Sequence, residues 1–549
     1  MYDYVIVGGG SAGCVLAARL SEDPGTRVLL LEAGPEAAAD QIAIPAAMSR
    51  LFKTRYDWNF TTVPQERAAD RTVYWPRGRV LGGSSAMNAM IYVRGSRYDF
   101  DSWRDDFGCV GWGYRDLLPY FRRSEANSRG ESRWHGAEGP LPVTDLAYQS
   151  AHAKAFVAAA RRRGAPDIDD FNGPVQEGVG FYQVTQREGR RCSVADAYLP
   201  PAVRAARPNL TIRTGVLVTG VLIEGGRAAG VTVRHQGSDE TIRAQAEVIL
   251  AAGAVGSPQL LMLSGIGPAD ELRDHGIFVI ADNRAVGANL TDHPAVPVIW
   301  STPKLKGLWE QSGNAGVIRW KLTHKGPLTS NIAEAGGFAR SDPRLQAPDL
   351  QWHVLPAAFL REGLADPARR AMTVLVTLVN VASRGKIALA SRDPRHRPLI
   401  DPGYLTDSAD LSALTTGVRT VRDYASAAPL SGIVKGEIAP GDASTDQEVR
   451  DYIRGCVSTL YHPAGTCAMG GDSPLHMARQ PSVADPQLRV RGVTGLRVVD
   501  ASVFPLLPRG NTNAAVIAVA ERAADLIAGR APLAPDPVDV VTAELRIAG

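Results

Sequence analysis

Residues 2–20 read YDYVIVGGGSAGCVLAARL. Tyr4 to Val7 form a short apolar run that fits a buried strand. The run meets Gly8-Gly9-Gly10-Ser11-Ala12-Gly13 and then an alanine-rich apolar stretch to Leu20 that fits a helix. Strand, glycine turn and helix match the dinucleotide fingerprint G-x-G-x-x-G, with Gly8, Gly10 and Gly13 at the glycine positions. Gly8 permits the tight turn, Gly10 lets the backbone approach a pyrophosphate, and Gly13 lets the helix pack closely on the strand. The helix start offers free N–H groups and a positive dipole end to the phosphates. A second apolar strand, Arg27 to Leu31, ends at Glu32. An acid about twenty residues beyond the turn accepts hydrogen bonds from ribose hydroxyls and repels a 2′-phosphate. The motif predicts FAD or NAD and disfavours NADP, without separating the first two.

The chain around this stretch has 549 residues, 45% hydrophobic and 21% charged. That mix excludes a largely disordered protein. Lys+Arg 60 against Asp+Glu 57 leaves a net charge of +3 with no long basic block, so nucleic acid is not an expected partner. No stretch of about 20 apolar residues is present, so no membrane span is expected. The N-terminus lacks the basic region and cleavage site of a secretory signal. Cys14, Cys109, Cys192, Cys456 and Cys467 are too widely spaced for a disulfide framework or a zinc site. A cytoplasmic protein without a metal is the expectation.

Two further glycine-rich stretches carry the reading forward. Residues 78–90 read GRVLGGSSAMNAM, and residues 253–267 read GAVGSPQLLMLSGIG after the apolar run Val248 to Ala252. The second is again strand, glycine turn and helix, as suits a sheet assembled from distant segments. Both stretches resemble the two signature patterns of the glucose–methanol–choline (GMC) oxidoreductases, FAD enzymes that act on alcohols. GWGYRDLLPYFRRSE at 111–125, WHGAEGPL at 134–141, AYLPPAVRAARPNLTI at 197–212, GPLTSNIAEAGGF at 326–338 and GLRVVDASVFP at 495–505 are similar as well. The similarity runs from residue 2 to about 530 and is nearest to bacterial choline-dehydrogenase-like members.

That resemblance implies FAD contacts position by position. Gly8, Gly10, Ser11, Ala12 and Gly13 would hold the pyrophosphate, and Glu32 the adenosine ribose. Val80, Gly83, Ser84, Asn88, Ala89 and Met90 would line the flavin ring and ribityl chain. Val218 would touch adenine, Asp500 and Ala501 would return to the phosphates and ribityl, and Asn513 would face the pyrimidine edge. Some members attach FAD through a histidine in the GGSS segment; the corresponding residue here is Met87, whose thioether cannot make that bond, so non-covalent FAD is expected.

Residues 458–470 read STLYHPAGTCAMG. His462 stands before Pro463 and Gly465, at a turn. Removing a hydroxyl proton while hydride leaves carbon calls for a base near neutrality, and histidine fits. One of 10 histidines at a turn is no site by itself; the resemblance makes His462 the catalytic histidine. Asn511, in PRGNTNAAV at 508–516, falls at the second catalytic position, which members fill with His or Asn. Its amide can donate to the alcohol oxygen or cap the helix suggested over 514–528, and Asn513 is an equal candidate for that cap. Glu334, which matches an acid facing a trimethylammonium group in some relatives, reads as structural. His293 in NLTDHP is not taken as a base, nor Cys456 and Cys467 as a redox pair. Trp352, His353 and Phe359 fit either the substrate pocket or the core.

The expected fold is α/β: a Rossmann-like FAD-binding domain (1–155, 195–300 and 456–531) interleaved with an antiparallel-sheet substrate domain (156–194 and 301–455), plus a C-terminal extension at 532–549. Alternating residues in Thr373–Val379 and Gly385–Leu389 suggest a sheet with one packed face. The resemblance implies oxidation of an alcohol with hydride passing to flavin N5 and electrons then to a quinone-like acceptor or oxygen, a dehydrogenase being favoured. A GMC-type lyase or photodecarboxylase is the alternative; an NAD enzyme would not need the segments at 78–90 and 253–267.

Overall fold

The computed structural model describes residues 1–359 and 370–537. Residues 538–549 of the extension lie outside the described residues, so its expected strand or helix is not placed.

The first run folds as expected. Strand Tyr2–Val7 leads through the glycine turn into helix Ser11–Leu20, and strand Val28–Glu32 lies parallel beside it. Strand Leu210–Thr214 pairs with Val28–Glu32 on the outer side. The last residues of the long strand Ser238–Leu250 pair parallel with Tyr2–Val7, and Leu496–Val498 pairs parallel on its other edge. Segments far apart along the chain thus meet in one parallel layer. Val28–Glu32 is buried throughout, as a parallel strand covered on both faces must be. The first half of Ser238–Leu250 leaves this layer and continues as an antiparallel meander with Arg227–His235 and Leu217–Glu224.

A second sheet is antiparallel throughout. Its order is Glu437–Ala439, Pro294–Ser301, Ala371–Leu378, Leu350–Leu355, Ala335–Ala339 and Gly178–Phe181, with Ser458–Thr459 also on Pro294–Ser301. Its central strands are buried at every position. The expectation of a sheet packed on one face is therefore corrected. Helices Ala151–Arg162 and Ser408–Ser426 cover one face, and the other walls a cavity. Trp352 points to the helices, edge-on to Tyr424; His353, the next residue, points to the cavity. The 385–389 segment is no part of this sheet: Lys386–Ala388 forms a separate ladder with Leu399–Asp401. Strand Pro294–Ser301 lies inside the antiparallel sheet although the expected boundary at 300 assigns it to the dinucleotide part. We keep the interleaved division as a proposal with that strand moved across.

Candidate active site

A cavity of about 630 Å³ runs between the parallel layer and the antiparallel sheet. At one end stand Gly8, Gly10, Ser11 and Ala12 from the first turn, with Glu32 and Val218 beside them. Two glycine segments abut there: Gly82 N–H donates to the Gly9 carbonyl at 2.7 Å. Gly83 has φ +54°, and a Cβ on it would lie 2.6 Å from Gly10 Cα. Only glycine leaves that passage open. Gly13 lies behind the turn, where a Cβ would meet Gly8 O at 1.9 Å. It serves helix–strand contact and does not line the cavity. Val80 is also off the wall; it is buried in apolar packing, and its carbonyl accepts Gly83 N–H.

Glu32 is buried with both oxygens engaged, Oε2 by Gly9 N–H at 2.8 Å and Oε1 by Gly34 N–H at 2.7 Å. Burial nevertheless pushes its carboxyl up to about 7, those two N–H groups opposing the rise. Further along, Ser84, Asn88, Ala89 and Met90 line one side, and Asp500, Ala501 and Asn513 the other. Asp500 Oδ2 accepts from Gly253 N–H at 2.8 Å and Ser257 Oγ at 2.6 Å, which ties the two return segments together. Ser11 Oγ donates to Asn513 Oδ1 at 2.6 Å. Arg79 lines the cavity over the Trp58 ring, with a buried Nε lacking a partner. Open glycine backbone, helix starts and an unpaired guanidinium nitrogen suit an elongated, phosphate-bearing cofactor.

His462 and Asn511 meet at the other end, with His462 Nε2 3.4 Å from Asn511 Nδ2. Tyr461 holds a left-handed φ of +69°, and His462 N–H donates to buried Asp292 Oδ1 at 2.8 Å, fixing the turn. Asn511 precedes helix Thr512–Ile527 but makes no side-chain cap; its Oδ1 accepts instead from Gln351 Nε2 at 3.2 Å. Asn513 lies within the first turn of the helix and likewise makes no cap. His293, which is not on this cavity's wall, puts Nδ1 3.0 Å from His462 Nδ1. His353 lines the cavity from the sheet; its Nδ1 is 3.4 Å from Thr377 Oγ1, and its buried Nε2 has no partner among the described residues.

Burial holds His462 well below the ordinary histidine value, with His293, His353 and Arg77 adding to the depression. Burial alone pushes His353 down to about 3, and burial with His353 nearby does the same to His293. All three imidazoles are neutral at neutral pH. Glu334 is not on the cavity wall: its carboxylate accepts from Ser150 N–H and Ser330 Oγ. Phe359, Leu355 and Leu375 give the wall near His353 an apolar surface. Gln351 and Asp292 had no distinguishing signal in the sequence, since only pairing register and backbone contact bring them to the pair.

Two family models described as GMC oxidoreductase match residues 2–295 and 381–520. The chain is a GMC oxidoreductase. It is 45% identical to an uncharacterised GMC-type oxidoreductase of Mycobacterium tuberculosis H37Rv, over 96% of this chain and 99% of the relative. It is 42% identical to an alcohol dehydrogenase [acceptor] of Pseudomonas putida, covering 97% of each. Identity to the mitochondrial choline dehydrogenase of Homo sapiens is 41%, over 97% of this chain and 90% of that one. The crystal structure of pyridoxine 4-oxidase from Mesorbium loti superposes with a TM-score of 0.88 at 35% identity, covering 97% of this chain and 100% of that chain. The GMC oxidoreductase is choline-dehydrogenase-like in sequence, has the family's α/β fold, and uses FAD. Both dehydrogenases and an oxidase are among its relatives. No helix among the described residues is long and apolar enough to cross a membrane.

Proposed function

We propose that this GMC oxidoreductase oxidises a primary or secondary alcohol to an aldehyde or ketone. The observation that carries the reading is the facing pair of His462 Nε2 and Asn511 Nδ2 at the end of the FAD cavity. An alcohol oxygen placed between them gives its proton to Nε2 and accepts the Asn511 N–H. His462 is neutral, so its lone pair is free to take that proton. The resulting imidazolium and the Asn511 amide then hold the alkoxide oxygen as the carbon gives up hydride. FAD, when bound, supplies the hydride acceptor at flavin N5. Gly8, Gly10, Ser11 and Ala12 would hold its pyrophosphate, Glu32 and Val218 its adenosine, and Gly83, Ser84, Asn88, Ala89, Met90, Asp500, Ala501 and Asn513 the remainder. Residues 78–90 contain no histidine and Met87 lines the cavity, which supports non-covalent attachment.

A quinone-like acceptor is favoured over oxygen, and a cytoplasmic site of action is retained. The test is anaerobic bleaching of the bound flavin by a panel of alcohols, with His462→Ala in parallel. Bleaching by an alcohol in the parent and a loss of about a hundredfold or more in the variant supports the reading. If no alcohol bleaches a fully loaded flavin, lyase or light-driven chemistry replaces it. Readmitting air distinguishes an oxidase from a dehydrogenase, and acid precipitation that releases all the flavin would establish non-covalent binding.

A further inference from the structure

Gln351 is fully buried on strand Leu350–Leu355, outside the residues so far assigned to catalysis. It shares a face of the sheet with His353 and Leu355, since alternate residues of a strand point the same way. Its Nε2 lies 3.3 Å from Tyr182 Oη and 3.2 Å from Asn511 Oδ1. Tyr182 Oη in turn lies 2.6 Å from the backbone carbonyl of Trp352. Gly336, directly across from His353, makes that short contact possible: a Cβ there would lie 1.9 Å from Trp352 O and 2.4 Å from Tyr182 Oη.

The donor and acceptor roles follow from one end. A peptide carbonyl can only accept, so the single Tyr182 proton is committed to Trp352 O. Tyr182 Oη must then accept from its remaining neighbours, the Gly337 N–H and Gln351, and of the two ends of the Gln351 amide only the NH₂ can donate to it. The second N–H of that NH₂ donates to Asn511, so Asn511 presents its oxygen to Gln351. Its own NH₂ consequently faces His462 Nε2, at 3.4 Å. A nitrogen facing a donor must carry its lone pair outward, so the His462 proton resides on Nδ1, from which it donates to His293 Nδ1 at 3.0 Å. This arrangement leaves Gln351 Oε1 without a partner. The reverse one would press Oε1 against the lone pairs of Tyr182 and move Nε2 away from both of its acceptors.

We infer that Tyr182 and Gln351 are positioning residues that orient the Asn511 amide and select the His462 tautomer whose Nε2 accepts the substrate proton. His293 Nδ1 accepts the hydrogen bond from His462 Nδ1–H at the far end. The direction of the whole chain is set by the Trp352 carbonyl, which cannot reverse. The inference rests on the proposed roles of His462 and Asn511.

The decisive substitution is Gln351→Glu, which preserves shape but turns the donor into an acceptor. The introduced carboxylate, when ionised, accepts the Asn511 N–H, so the amide turns its oxygen towards His462. Gln351→Leu removes the link, and Tyr182→Phe releases the constraint without touching Asn511. All are prepared as holoenzymes with flavin content and Tm measured alongside. In holoenzyme labelled with ¹⁵N-histidine, the His462 resonances are identified by their loss in His462→Ala. The parent is expected to show Nδ1 protonated and Nε2 bare; Gln351→Glu is expected to show the opposite.

With the alcohol that bleaches the flavin most rapidly, Gln351→Leu is expected to lower kcat about tenfold with less than a threefold change in KM. Asn511→Ala is expected to lower it about a hundredfold. The double variant should be no slower than Asn511→Ala alone, because Gln351 acts only through that amide. Multiplying losses, or the Nε2-protonated tautomer in the parent, would overturn the relay. If Gln351→Glu fails to retain FAD, Tyr182→Phe provides the same spectroscopic readout: a mixture of tautomers supports the relay, and an unchanged Nδ1–H form overturns it. An active His462→Ala with normal flavin would instead remove the proposed catalytic pair, whatever the tautomer spectra show.

Discussion

Gly83 and Gly10 touch where the first turn meets the 78–90 segment, on the wall of the cavity proposed to hold FAD. Gly83→Ala puts a methyl group 2.6 Å from Gly10 Cα at a left-handed backbone position. The conformation alone costs an alanine about 1–2 kcal/mol, and the backbone contact cannot yield as a flexible side chain would. The variant is expected to fold with a lower Tm and to purify with less than half the parent's flavin-to-protein absorbance ratio; unchanged flavin content would show that cofactor does not use this passage. At the other end of the cavity, the role proposed for His462 requires it to be neutral. Burial and the nearby His293, His353 and Arg77 hold its pKa below the ordinary value of 6.5. The proton-accepting form is therefore present from high pH down through 6.5, and kcat/KM is expected to stay level there and fall only below it. An acid limb centred above pH 6.5 in the pH–rate profile would contradict this placement of the base.

Elements bring their own titration and packing. Helix Ala151–Arg162 begins with Ser150 as its cap and carries His152 into the interior, with Nε2 3.1 Å from Thr302 Oγ1. Burial pushes His152 from 6.5 down to about 4. Between pH 6.5 and 4 the unfolded chain binds a proton there that the folded chain refuses, so folding weakens as pH falls. The slope approaches about 1.4 kcal/mol per pH unit at most, and it vanishes above the unfolded value. His152→Leu is expected to flatten the acid side of a denaturant-stability curve relative to the parent, with the two curves parallel above about pH 7. Glu334 joins the same helix start to the 330 turn through Ser150 and Ser330. Glu334→Gln keeps the shape but weakens both hydrogen bonds, and should lower Tm by a few degrees while leaving KM for alcohols and for choline unchanged. A selective rise in the choline KM would restore a substrate role to this residue.

At the largest scale, the cavity is walled by the glycine turns of the parallel layer on one side and by strands Leu350–Leu355 and Ala371–Leu378 on the other. A ligand bound only by the folded state stabilises it by about 2.7 kcal/mol at a hundredfold excess over Kd. Removing FAD is therefore expected to lower the Tm of the whole chain, with the parallel layer and antiparallel sheet both affected. Calorimetry of apo and holo protein would detect this. A holo trace with one component unmoved would show that the two sheets unfold independently.

The opening stretch and its return partners were legible because they obey local rules. A tight turn needs glycine, a buried strand needs apolar residues at every position, and an uncapped helix start offers free N–H groups to a phosphate. Nearly all the FAD residues implied by the resemblance line one cavity, and the two exceptions, Gly13 and Val80, have packing roles beside it. Local rules could not decide what Asn511 does, because a residue before a helix has the same sequence signature whether it caps or reaches away. Its orientation depends on Gln351, Tyr182 and the Trp352 carbonyl, which meet only through the register of an antiparallel sheet. His293, not taken as a base from the sequence, is set against His462 only by the fold. The dinucleotide-binding turn could be read from the residues alone, whereas FAD and the identities of the facing pair came from the family resemblance that the residues carry. Which atoms of that pair donate and which accept emerged only once the chain was folded, because hydrogen-bond direction depends on neighbours distant along the chain.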